Sequence, residues 1–232
     1  MENTIASEKI VLVDKLAFLF EYSLNKLVTK AKRGRPPERP DRRESIMEAA
    51  LESLVERGFY GTAMPQIADK AGVAAGTIYH YFDSKEALVN ALYRSWKTVV
   101  AQRVFMKFPQ EAPVREQFRA MWHEMIAFAM EHPTAFIFIE LHNHASYLDD
   151  ESRAVDRNLK DFTRSVIQMA QMQGLLKPLD ASVLMELIFG AFVGMMRAQS
   201  EHRIELTPEK IADAEQACWD AVSLHPGVGV TA

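Results

Sequence analysis

The feature that most narrows the fold of this 232-residue chain is where glycine and proline are missing. Neither occurs in residues 77–108, 114–132 or 134–173, and single prolines at 109, 113, 133, 178 and 208 punctuate the rest. Proline removes a helical hydrogen bond and glycine loosens the backbone, so long stretches free of both, separated by short interruptions, read as consecutive helices. The expected fold class is all-α. Short helices lie near residues 41–82, and longer ones at about 84–106, 114–131, 134–147, 152–173, 179–200 and 208–224. A chain with 48% apolar and 25% charged residues fits a globular protein and excludes disordered or collagen-like architectures.

Cys218 is the single cysteine, which rules out an internal disulfide or a CxxC motif and makes a reducing cytoplasm the expected location. The apolar run from Ile10 to Phe20 is interrupted by Asp14 and Lys15 and is followed by no small-residue cleavage site. It is read as neither a signal peptide nor a membrane span. Residues 5–30 are compatible with an amphipathic helix whose role stays open.

Charge is distributed unevenly. The chain carries −4 overall, yet residues 30–43 hold seven basic side chains against two acidic ones. Gly34, Pro36, Pro37 and Pro40 interrupt that segment and favour an extended arm over a helix. Either the arm is a solvated linker, or it meets a polyanion at one end of an acidic body.

Downstream the pattern sharpens. Ile46, Ala49, Ala50 and Leu54 repeat at helical spacing and Gly58 is placed to end that helix. Pro65 marks the first turn of a second helix with Ile67, Ala68 and Ala71 on one face, stopped at Gly72. Gly72, Val73 and Ala74 then lead into a third short segment, Ala75 to Phe82. Two short helices joined by a glycine-containing turn are the sequence form of a helix-turn-helix, whose second helix enters the DNA major groove. A capping box over Asp83–Glu86, with Ser84 as the alternative cap, starts a long helix.

The strings Gly58-Phe59-Tyr60-Gly61-Thr62, Ile67-Ala68, Ala71-Gly72-Val73, Gly76-Thr77-Ile78-Tyr79-His80-Tyr81-Phe82 and Ser84-Lys85-Glu86-Ala87-Leu88 resemble the DNA-binding domain of the TetR/AcrR family of transcriptional regulators. The resemblance covers residues 42–92. It implies a three-helix DNA-binding domain at 41–90 after an N-terminal extension at 1–40, then a larger helical ligand-binding and dimerisation domain at 91–225. It further implies a homodimeric repressor that a small-molecule effector releases from a palindromic operator in double-stranded DNA.

Transferred by position, Tyr79 and Lys85 match phosphate contacts, Thr77 and His80 match positions facing base edges or backbone, and Thr62 matches a backbone contact. Ala75, Gly76 and Tyr81 belong to the same reading segment, and Arg42 closes the basic stretch. Alanine stands at 63, 74 and 75 where the family often has polar residues, so both short helices lack a side-chain N-cap and Ala75 can only touch a thymine methyl. Residues 42–97 hold seven basic and seven acidic side chains, which leaves the long-range attraction to the arm. Arg33-Gly34-Arg35-Pro36 resembles an AT-hook core, and Arg33 and Arg35 are expected in the minor groove beside each half-site.

The C-terminal half is rich in large adaptable side chains. Trp96, Phe105, Trp122, Met125, Phe128, Phe138, Phe162 and Met169 are expected to line an apolar or aromatic effector cavity, with Glu140, His144 and Tyr147 as its polar groups. Residues 184–196 are apolar on nearly all sides and are expected to be buried all round. Phe189, Gly190, Val193, Gly194 and Arg197, with Ala217 and Trp219 from the last helix, are assigned to a four-helix dimer interface. His142-Asn143-His144 is a poor metal site, because residues two apart on a helix diverge. No Gly-rich phosphate loop or catalytic triad is present, so neither catalysis, a metal nor a cofactor is expected. Two further readings remain: a nucleoid or division factor without an inducer, and a small helical enzyme or metal-binding protein.

Overall fold

The computed structural model describes residues 42–144 and 146–224, so the amphipathic stretch at 5–30 and the arm with Arg33 and Arg35 lie outside the described residues. The described chain is all-helical: α1 Arg42–Gly61, α2 Met64–Lys70, α3 Ala75–Ile78, α4 Lys85–Lys107, α5 Val114–Glu131, α6 Pro133–Phe136, a π-helical turn Ile137–Leu141, α7 Asp150–Met172, α8 Ala181–Ser200 and α9 Pro208–Val222. One isolated antiparallel bridge, Leu176 to Ser223, is the only extended pairing among these residues.

Two compact units divide the chain, and they are not consecutive in sequence. The first takes residues 42–102 together with His132–Arg157; the second takes Arg103–Glu131 with residues 158–224. The first therefore contains the helix-turn-helix and a segment some 30 residues further along the chain.

In the first unit the core is made by the residues whose spacing predicts it. Ile46, Ala50, Ile67, Ile78 and Leu88 are fully buried, and Ala49, Leu54, Ala68 and Phe82 nearly so. Gly58 sits at φ 70 and ψ 177, a conformation open essentially to glycine alone, and it breaks α1 before the last residues to Gly61. Ser84, the alternative cap, is the one used: its Oγ accepts from Ala87 N at 3.1 Å.

The helix expected at 134–147 is not formed as one piece. After α6 and the π-helical turn, His142 turns extended, with φ −91 and ψ 143. Tertiary bonds outweigh the local propensity here. Asn90 on α4 donates from Nδ2 to Tyr147 O and accepts from Asp149 N at Oδ1, both at 2.8 Å, which holds this backbone away from helical geometry. His144 is buried beside it and pairs with Phe138 O.

In the second unit Ile167, Ala170, Leu176, Ala181, Leu184, Met185 and Val222 form one cluster, against which Val114, Phe118, Ile188 and Trp219 pack. Asp180 caps α8 by accepting from Ser182 N at 2.8 Å and Val183 N at 3.2 Å, and Thr207 caps α9. Arg115 forms a two-pronged pair with Glu215 of α9, its second contact 2.8 Å long. Phe105 and Phe108 meet the buried Phe162 edge-on, at 4.6 and 5.6 Å between ring centres.

Within the single chain, residues 184–196 are covered on one side only. Leu184, Met185, Phe192 and Met196 face the core, whereas Val183 and Leu187 are 51% and 53% exposed, and Gly190, Ala191 and Gly194 are exposed as well. Helix α8 is long and apolar enough to cross a membrane by composition, yet its buried side packs as an ordinary core helix.

Replacing Gly58 with Ala is expected to lower stability by about 1–3 kcal/mol in urea unfolding. A Cβ at Gly58 meets nothing within 4 Å, so the loss measures backbone conformation alone.

Candidate nucleic-acid interface

The segment expected to read DNA is short. Helix α3 spans four residues, Ala75–Ile78, and lacks a side-chain cap at Ala74, as the sequence predicts. Helix α2 has no side-chain cap from Ala63 either, although Gln66 reaches back to accept from Ala63 N at 3.3 Å. Two buried side chains hold the segment in place, Ile78 and Phe82. Backbone bonds from His80 N to Thr77 O, from Tyr81 N to Ile78 O and from Phe82 N to Ile78 O, 3.0–3.1 Å long, extend the turn beyond α3.

With Ile78 and Phe82 turned inward, their neighbours turn out. Ala75, Gly76, Tyr79, His80 and Tyr81 are exposed and Thr77 is half-buried. Tyr79 and Tyr81, 50% and 40% exposed, present hydroxyls able to donate to phosphate oxygens. Gly76 adds no bulk, and a Cβ there meets nothing within 4 Å, so another backbone can approach closely. Arg42 is exposed at the start of α1. Tyr60, 84% exposed beside Phe59, is a further open aromatic that periodicity does not single out.

Two residues expected at the DNA backbone have their polar atoms committed within the fold. Thr62 is 2% exposed, and its hydroxyl bonds to Ser53 O at 3.0 Å and Gly58 O at 2.8 Å. Lys85 donates to Phe59 O at 2.7 Å and Thr62 O at 2.9 Å, with its ammonium 4.1 Å from the Phe59 ring centre. Both close the broken end of α1, whose last carbonyls have no helical partner. Gly58 breaks the helical backbone here, and Thr62 and Lys85 bond carbonyls on both sides of that break.

Behind the reading segment, α4 is tied to residues 132–157. Asn90 supplies the two bonds described above and also donates to Glu86 O at 2.8 Å. The Phe59 ring stacks on Tyr147, with centres 4.1 Å apart. Arg94 pairs with Asp149 at 2.8 Å and Glu151 at 3.4 Å. The buried Lys97 bonds Glu140 at 2.9 Å and Asp156 at 3.1 Å. Burial alone disfavours the Lys97 ammonium, but Glu140, Tyr93 and Asp156 more than offset it and its pKa is raised. Burial also pushes the Tyr93 phenol up to about 12.

This joint occupies the polar groups expected around an effector. Glu140 is the partner of Lys97, Tyr147 is stacked on Phe59, and His144 lies between Phe138 O and the Tyr147 hydroxyl, the latter 2.9 Å away. Phe138 is buried in the same unit, and Trp96 faces His132 there at 5.1 Å between rings. The remaining aromatic and Met candidates, Phe105, Trp122, Met125, Phe128, Phe162 and Met169, belong to the second unit. Trp122, Phe128 and Phe162 are buried, and Phe105, Met125 and Met169 are half-buried. Among the described residues no cluster of three or more His, Cys, Asp or Glu side chains is placed to hold a metal ion.

Of the residues assigned to a dimer face, Gly190, Gly194, Arg197 and Ala217 are exposed, whereas Phe189, Val193 and Trp219 are half-buried. Trp219 packs against Phe118, with ring centres 5.3 Å apart, and under Arg115. Val183 and Leu187, which the sequence reading did not select, continue the exposed line on α8. Their signal was available, since 183, 187, 190, 194 and 197 follow helical spacing on one face.

Residues 46–92 match the family described as bacterial regulatory proteins, tetR family, and residues 93–224 match the tetracyclin repressor-like C-terminal domain. An uncharacterized HTH-type transcriptional regulator of Haemophilus influenzae is 25% identical over 78% of this chain and 96% of its own length. A TetR family regulator from Marinobacter aquaeolei superposes with a TM-score of 0.71 at 25% identity, covering 79% of this chain and 96% of the other. The structure of AibR in complex with isovaleryl coenzyme A and operator DNA gives a TM-score of 0.61 at 27% identity, covering 75% and 95%.

His144 yields a pH prediction. Burial, foremost, lowers its pKa below the ordinary 6.5, and the neutral ring fits both contacts, Nε2–H donating to Phe138 O and Nδ1 accepting from Tyr147. Below pH 6.5 the unfolded chain takes up a proton that the folded His144 resists, so stability is complete above that pH and falls as the pH drops beneath it. His142, similarly lowered by burial, contributes in the same window. Urea titrations from pH 7.5 to 5 are expected to show this slope, reduced in His144→Gln.

Proposed function

Because the chain belongs to the TetR family of bacterial transcriptional regulators, we propose that it is a cytoplasmic homodimeric repressor. It holds a palindromic operator until a small apolar or aromatic effector binds its C-terminal helices. The observation that carries the reading is the outward face of residues 75–81, fixed by the burial of Ile78 and Phe82. That packing leaves Tyr79, His80 and Tyr81 in solvent, and a duplex gives their hydroxyls and imidazole partners.

The exposed stripe on α8 supports the dimer. Val183 and Leu187 offer apolar surface, and Gly190 and Gly194 let a second helix approach at backbone distance. A two-fold copy of the same stripe is the simplest cover, since such an interface is self-complementary. Ala217 extends the face onto α9. That AibR was solved with isovaleryl coenzyme A and operator DNA supports a small organic molecule as the signal for this architecture. Transcriptional control, not catalysis, is the proposed activity, with Tyr79 on phosphates, Thr77, His80 and Tyr81 at base edges, and Arg33 and Arg35 in the flanking minor groove.

Selection of bound duplexes from a random pool should return a palindrome. Tyr79→Phe should weaken all sequences about equally, whereas His80→Ala should relax preference at one position by roughly 1–3 kcal/mol. Removing residues 1–37 should flatten the salt dependence of binding. Equal affinity and preference in both variants would place the reading face elsewhere. Leu187→Glu should produce folded monomers in analytical ultracentrifugation with weakened operator binding, because the side chain is exposed in the single chain.

A further inference from the structure

Buried polar atoms in folded proteins almost always have a partner, and each exception asks for a cause. Among the described residues two buried side-chain nitrogens have none, Trp122 Nε1 and Arg103 NH1. Both belong to the second unit. Both are donors, and neither has an acceptor facing it, so what is missing is an oxygen or an anion.

Trp122 is 1% exposed on α5. The rings around it are Phe118, stacked at 6.4 Å, and Phe192, edge-on at 6.4 Å. A buried water needs two to four polar partners, which aromatic walls do not supply, so a lone water is a poor occupant beside this indole. An organic molecule that carries its own apolar body is a better one. Arg103 adds charge. Its NH2 meets Glu131, its guanidinium carbon lies 6.0 Å from the Phe128 ring centre, and NH1 is left over. Phe128 and Trp122 stand six residues apart on α5, roughly 9 Å along its axis.

We infer that the effector is an organic acid with an apolar body: one oxygen accepts from Trp122 Nε1, and its negative charge is answered by Arg103. This rests on the effector reading proposed above and narrows it, since a pure hydrocarbon would leave both donors as they are. Glu131 engages NH2 of Arg103 and leaves NH1 free to donate to a further acceptor. The apolar walls discriminate little between aliphatic and aromatic bodies; the donors discriminate strongly between acids and their hydrocarbon counterparts.

The test uses the full-length protein labelled with 15N at its three tryptophans, with octanoate and 3-phenylpropionate as probes and propylbenzene as the uncharged control. The expected result is that both acids bind, and that one indole signal, absent in Trp122→Phe, moves downfield with the acids but not with propylbenzene. Trp122→Phe and Arg103→Gln should each weaken the acids about tenfold and leave propylbenzene unchanged. Folding of each variant is checked by its remaining indole signals. Failure of both acids to bind at millimolar concentration, binding that leaves the Trp122 signal in place, or equal loss of propylbenzene in the variants would overturn the inference. An operator-release assay with the same probes separates the two proposals. Acid binding through Trp122 with the operator complex intact supports the site and overturns the effector role, whereas release that Trp122→Phe does not alter overturns the site alone.

Discussion

A four-residue helix has no stability of its own, because nucleation costs more than one turn of hydrogen bonds returns. Helix α3 exists because Ile78 is fully buried and Phe82 is 4% exposed. These two anchors fix the direction of everything between and beside them. Once they point inward, Tyr79, His80 and Tyr81 have only solvent or a ligand to face. In the proposed function the reading of DNA therefore depends on a hydrophobic contact, and the polar chemistry is attached to it.

The head in turn depends on its rear attachment. Gly58 breaks α1, and Thr62 and Lys85 bond the carbonyls around that break. Asn90, Arg94 and Lys97 then follow along one helix and bind residues 140–156 by direct hydrogen bonds and ion pairs. A neutral His144 and the Phe59–Tyr147 stack fill the space between. Buried charge at Lys97 is tolerated because two carboxylates meet it, a geometry that specifies position more than it stabilises.

Much of this was legible from residue order. Breaker-free stretches located the long helices to within a few residues, Gly58 and Gly72 marked turns that have positive φ, and the uncapped Ala63 and Ala74 are uncapped in the fold. The π-helical turn and the extended backbone after it were not legible, because Asn90, 57 residues from Tyr147 in sequence, decides them. Likewise no local pattern shows that the Thr62 hydroxyl and the Lys85 ammonium are taken up by backbone carbonyls around Gly58. Composition marks residues 184–196 of α8 as apolar on nearly every side, but only Leu184, Met185, Phe192 and Met196 are covered within the single chain, because composition does not show which side the core takes.

The proposed function requires residues 75–81 to meet a duplex. Backbone hydrogen–deuterium exchange of the full-length protein, alone and bound to a duplex selected for tight binding, tests that directly. Slowed exchange concentrated in α2, α3 and the turn to Ser84 is the predicted result. Unchanged exchange there, with protection only in the second unit, would contradict it.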